Sequence, residues 1–131
     1  MNDDSKQEQS STQLTWRKIV NNYQNPSTRK SLWQLFNTLV PYIILWILMY
    51  FALDISYWLV LALAIPAGGL VVRLFIFLHD CGHWSFFRSA KANQWVGSIL
   101  GVLVFTPFFH WRQSHAIHHA TAGNLDKRGV G

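Results

Sequence analysis

All six histidines of the chain lie between His79 and His119, and five of them stand in two tight clusters. The first is His79-Asp80-Cys81-Gly82-His83, with imidazoles at i and i+4. The second is His115-Ala116-Ile117-His118-His119, with imidazoles at i, i+3 and i+4. Residues three and four apart share a helix face, so each cluster can aim its rings at one point. Neutral imidazole suits iron, copper, nickel and zinc, and spacing by itself does not choose among them. A single histidine near a membrane is ordinarily an interfacial or hydrogen-bonded residue, and His110, outside both clusters, is read that way. Five clustered rings beside apolar segments are costly to bury unless something coordinates them. They are therefore the candidate metal ligands: His79, His83, His115, His118 and His119. Asp80 can accept a hydrogen bond from a ligand imidazole or simply be solvated.

Several metal chemistries are excluded by what accompanies the histidines. No His-Glu-x-x-His is present, so the zinc-protease arrangement with its general-base glutamate is missing. No Cys-x-x-Cys accompanies a His-x-Glu, which excludes a zinc deaminase. Soluble di-iron bundles use Glu and Glu-x-x-His ligands, whereas this chain offers only Asp80 and Asp126 after its apolar segments. Cys81 is the sole cysteine, so no intramolecular disulfide forms, and it is expected to pack rather than ligate. Trp84, Phe86 and Phe87 are likewise expected to pack or to anchor at an interface.

The elements that position these clusters are apolar helices. Between Lys30 and Arg73 the only charged side chain is Asp54. Phe36–Leu53 is almost wholly apolar and spans roughly 27 Å as a helix. Tyr57–Leu78 follows after the break Asp54-Ile55-Ser56 and is long enough to cross back. The expectation is a transmembrane helical hairpin with spans at about 36–53 and 57–78. Arg73, late in the second span, is expected to snorkel to the interface. The run Trp95–Phe109 is too short for a comfortable span and is expected to lie in, or re-enter, the interface. The fold class expected is all-α integral membrane: this hairpin, the interfacial or re-entrant segment, and cytoplasmic helices that carry the histidines. Residues 1–31 form a polar tail, expected to be disordered and cytoplasmic, and 32–131 the domain proper.

Composition agrees. Half of the 131 residues are hydrophobic, yet mean hydropathy is only slightly positive, so the apolar residues are concentrated in segments. Aromatics make up 15% of the chain, with seven tryptophans, as is common where a chain meets a membrane interface. The net charge of +5 comes from cations that flank the apolar runs instead of forming a patch among exposed aromatics. Anionic lipid headgroups fit that pattern, and nucleic acid does not. Arg17, Lys18, Arg29 and Lys30 precede the first span; Arg88, Lys91 and Arg112 follow the second; the turn between has none. The positive-inside rule places both termini and the histidine clusters on the cytoplasmic side.

The segments FLHDCGHWSFF (Phe77–Phe87) and WRQSHAIHHA (Trp111–Ala120) resemble the first and second histidine boxes of membrane fatty-acid desaturases. The wording around them, with Gly82, Ser85-Phe86-Phe87 and Leu125-Asp126-Lys127-Arg128-Gly129-Val130-Gly131, is similar to bacterial acyl-lipid desaturases. The resemblance runs from about Leu32 to the end of the chain. It implies a four-helix membrane domain whose di-iron centre is held by histidines from three boxes. It also implies O2 as co-substrate, electrons from ferredoxin or cytochrome b5, and a membrane lipid or acyl substrate that loses two hydrogens. Carried onto this sequence, the iron ligands are His79, His83, His115, His118 and His119. The family's third box has no counterpart here, so the expectation is a fragment of an incomplete four-helix domain, inactive by itself. A lipid hydroxylase or ketolase of the same superfamily, or a non-catalytic membrane remnant, are the alternatives.

Overall fold

The computed structural model describes residues 25–124, and these form four helices. Helix α1 is Thr28–Ala52, α2 is Tyr57–Gly82, α3 is Ala90–Leu103 and α4 is Phe108–Thr121. No strand occurs among the described residues. The tail proposed for residues 1–31 lies outside the described residues as far as residue 24, and so do residues 125–131.

Helices α1 and α2 have 25 and 26 residues and pack as an antiparallel hairpin, each long and apolar enough to cross a membrane. Their apolar side chains face outward along much of their length: Trp58 is 79% and Ile65 78% exposed. In water that pattern would be unstable, whereas in hydrocarbon it needs no cover. Pro41 and Pro66 are both accommodated inside helices. The spans read from the sequence lie within these helices except for Leu53, the C-cap of α1, and α1 begins earlier and α2 ends later than those spans. Helix α1 starts eight residues before Phe36 and takes in Thr28–Ser31, the last residues of the segment read as tail. The buried Ser31 explains the extension, since its hydroxyl donates to the Ser27 and Phe86 carbonyls and ties this polar turn to the loop after α2. Helix α2 continues four residues past Leu78, which carries His79 on the helix and leaves His83 as its C-cap.

Arg73, late in the second span, has partners within the hairpin. Its Nη2 donates to Asn37 Oδ1 at 3.0 Å, and its guanidinium sits 5.6 Å from the Phe77 ring centroid. Arg73, the one Lys or Arg of α2, thus fastens that helix to α1.

The apolar run 95–109 is broken, not continuous. Helices α3 and α4 meet at a bend of 103° across residues 104–107. Pro107 disfavours helix at the residue before it, and Phe105 takes a left-handed conformation, φ 54°. The bent pair has the form of a broken span or a re-entrant loop. Phe105 itself is 95% exposed. At the other end of α3, the buried Asn93 accepts from the Phe87 N–H at 2.9 Å and donates to the Phe87 and Ser89 carbonyls at 2.7 and 3.0 Å.

The core lies at the end of α2, directly beneath the histidines. Leu74, Phe77, Leu78 and Cys81 of α2 meet Phe86 and Phe87 of the following loop, Leu100 of α3 and Phe108 of α4. Cys81, Phe86 and Phe87 are packing residues, as expected. Phe108 reaches this core because Gly97 has no side chain: a Cβ there would stand 2.4 Å from its ring.

Candidate metal centre

Two structural devices bring the histidine clusters together. Helix α2 presents His79 and His83 on one face, with ring centroids 4.5 Å apart. Helix α4 crosses back over this end of α2 and presents His115 and His119, also 4.5 Å apart. The four residues each offer a ligand atom, and these atoms all lie within 4.8 Å of one another. Across the helices, His83 Nε2 is 3.0 Å from His115 Nε2, and His119 Nε2 is 3.0 Å from the same atom. Two imidazoles held cis on one ion, with bonds of about 2.1 Å at right angles, have their nitrogens about 3 Å apart. The spacing fits a shared metal ion.

His118 stands apart from this group. Its ring is parallel to that of His115 at 6.0 Å and lies 6.0 Å from that of His119. His110 is exposed near the α3–α4 bend and belongs to no cluster. Of the five histidines expected to ligate, four are therefore brought to one point, and His118 is next to it.

The electrostatics suit ligands that must be neutral. Partial desolvation first, then the neighbouring His79 and His119, hold His83 below the usual imidazole range, against a weaker opposing pull from Asp80. His115 is lowered likewise, by desolvation and then by His79, His119, His83 and His118. Lowered basicity leaves a ring lone pair available to a metal at neutral pH. Asp80 Oδ1 lies 3.2 Å from His79 Nδ1. A carboxylate only accepts, so this contact places the proton on Nδ1 and leaves Nε2 as the free donor atom.

The frame around the rings involves residues to which spacing assigns no role. Trp111 stacks on His115 at 4.6 Å and 15°, meets His79 edge-on at 5.7 Å, and meets Phe75 edge-on at 5.5 Å. Arg112 Nε donates to the Gly82 carbonyl at 3.0 Å, and its guanidinium lies 4.3 Å from the Trp84 ring centroid. The signal available in the sequence is that Trp111-Arg112 directly precedes the second cluster by one helical turn.

A helical hairpin long and apolar enough to cross a membrane, with imidazoles from two segments converging at its end, presents a histidine-rich candidate metal site. The fatty acid desaturase family model matches residues 55–129, more than half of the chain, and the chain belongs to that family. A fatty acid desaturase of Bacillus subtilis is 50% identical over 119 residues, which cover 91% of this chain and 33% of that protein. An sn-1 acyl-lipid omega-3 desaturase (ferredoxin) of Synechocystis is 44% identical over 59 residues, 45% of this chain and 16% of its own length. An endoplasmic-reticulum omega-3 fatty acid desaturase of Vigna radiata is 42% identical over 77 residues, 58% of this chain and 20% of its own. The chain spans a third or less of the length of these curated relatives. No solved structure matches it.

Proposed function

We propose that the chain is the part of an acyl-lipid desaturase that supplies its first two histidine boxes, from a domain running over residues 32–131. The observation that carries this is the convergence of His79, His83, His115 and His119 within 4.8 Å, in a chain of this family. These four imidazoles would hold an iron ion, and His118, parallel to His115 at 6.0 Å, would be available to a second. Bound iron would supply the oxidation by O2 that an unactivated C–H bond requires, which neither acid–base nor nucleophilic groups can provide. Overall, an acyl CH2–CH2 unit, O2, two electrons and two protons give CH=CH and two waters.

The chain's own residues do the positioning. His83 and His115 present neutral nitrogens, and Asp80 fixes the tautomer of His79. The hairpin delivers the centre to the membrane surface, where an acyl chain can reach it from the lipid. The cations on either side of the hairpin, and their absence from its turn, support a cytoplasmic position for the histidines. There a soluble electron carrier has access, and ferredoxin or cytochrome b5 is the proposed donor. The Synechocystis relative, whose name specifies ferredoxin, supports the former.

The test is expression of the protein that contains these boxes in a host with a competent electron donor, with analysis of the acyl products. New double bonds that disappear in His83→Ala are the expected result. Hydroxylated acyl chains in place of olefins would assign a hydroxylase instead. Saturated lipids only, with iron bound, would overturn the desaturase function.

A further inference from the structure

We propose that Trp111 and Arg112 form a clamp that locks α4 onto the end of α2, and that this clamp sets the register between the two histidine pairs. Its consequence for metal rests on the function proposed above; the clamp itself does not.

Gly82 receives both residues. Its carbonyl is one of the last of α2, where no further turn supplies an N–H. Arg112 Nε fills that vacancy at 3.0 Å, a cation placed at the negative end of the helix. Gly82 also lies against the edge of the Trp111 indole, and a Cβ on it would stand 2.9 Å from Trp111 Cζ3. The same indole stacks on His115 and meets His79 edge-on. One tryptophan thus touches a histidine from each helix, and one glycine sets how closely that tryptophan approaches.

Trp84 supplies the third contact, and its backbone shows that the contact has a purpose. Helix α2 ends with the Ser85 N–H bonded to the Asp80 carbonyl at 3.0 Å and the Trp84 N–H to the Cys81 carbonyl at 3.1 Å. In this ending the residue in Trp84's place adopts left-handed geometry and is usually glycine. Here it is tryptophan at φ 58°. The ring it contributes lies beneath the Arg112 guanidinium at 4.3 Å. A planar guanidinium can donate to a carbonyl and stack on an indole at once, and an ammonium cannot.

Trp84→Gly separates this role from backbone preference, because glycine suits the φ better and can only remove the ring. The chain is placed in lipid nanodiscs without metal, and amide hydrogen exchange is followed along all four helices. For Arg112→Gln, Trp84→Gly and Gly82→Leu, protection of residues 108–121 should fall by roughly tenfold, the worth of one charge-assisted hydrogen bond. The hairpin helices should keep theirs, and Arg112→Lys should be intermediate. Unchanged protection of α4 in Arg112→Gln or Trp84→Gly overturns the clamp, as does a loss spread equally over all helices. In a second arm Co(II) is titrated as a probe and its visible absorption recorded. Arg112→Gln should weaken binding about tenfold to a hundredfold and alter the spectrum, as removal of a supporting contact does at other metal sites. Unaltered affinity and spectrum would overturn the claim that the clamp sets register. If the unmodified chain takes up no Co(II), the metal function fails, while hydrogen exchange still decides the clamp.

Discussion

The Nε2 atoms of His83 and His115, from different clusters, are 3.0 Å apart although 32 residues separate them. The unit of function is therefore a pair of helix ends, and single substitutions should reflect membership of that unit. In the isolated chain, His83→Ala and His115→Ala remove nitrogens at the centre of the group and should abolish tight binding of a first metal ion. His118→Ala and His110→Ala should leave it within about tenfold, since neither ring belongs to the converged set. Isothermal titration with Co(II) or Fe(II) measures this directly. A His118→Ala chain that bound nothing while His83→Ala bound normally would invert the assignment. Asp80→Asn belongs to the same scale. It keeps the shape but weakens the acceptor for His79 Nδ1, so affinity should fall by roughly tenfold at most, the lower end of the effect of an outer partner.

At the scale of elements, two polar residues hold apolar helices in place. Asn93 satisfies both the N–H and the carbonyl of Phe87 inside the core, so that the loop between α2 and α3 passes under the histidines with its backbone paired. Asn93→Ala leaves both groups buried without a partner, which costs about 1–3 kcal/mol each. The expected outcome is a lower thermal midpoint of the chain in detergent, with α-helical content retained below it. Arg73 does the equivalent for the hairpin through Asn37. The hairpin also carries the topological prediction: Ile55, 75% exposed at the turn, should face away from the cytoplasm. With Cys81→Ala as background, Ile55→Cys should be labelled by a membrane-impermeant maleimide from the outside of intact cells. Labelling only after the cytoplasm is opened would place the histidines on the opposite face.

For the whole molecule, ligand number sets the expectation. Five imidazoles, were they shared between two irons, would leave several positions to water, and a site open to water would quench an oxidant before it met substrate. Expressed as these 131 residues, the chain should insert, because the backbone hydrogen bonds of a helical hairpin are internal. It should also bind iron without turning over acyl lipid. Purification in detergent, followed by metal analysis and a product assay with an electron donor, tests both halves. Stoichiometric di-iron with turnover would show that the two boxes suffice.

What the sequence determined by itself is what depends on local pattern. Apolar length fixed the hairpin, because hydrocarbon rewards a helix of about 20 residues whatever surrounds it. Spacing fixed the candidate rings, because i and i+4 share a helix face in any context. The ends of the elements were not legible. Ser31 lengthens α1 through a bond to a carbonyl 55 residues away, and Phe105 with Pro107 breaks an apolar run that reads as continuous. Nor could pattern divide the second cluster. His118 and His119 are both within one turn of His115, and only the angle at which α4 crosses the end of α2 brings one into the group and leaves the other beside it. That angle is a tertiary quantity, and where the two helices meet Trp111 abuts Gly82, which has no side chain, and Arg112 donates to the Gly82 carbonyl.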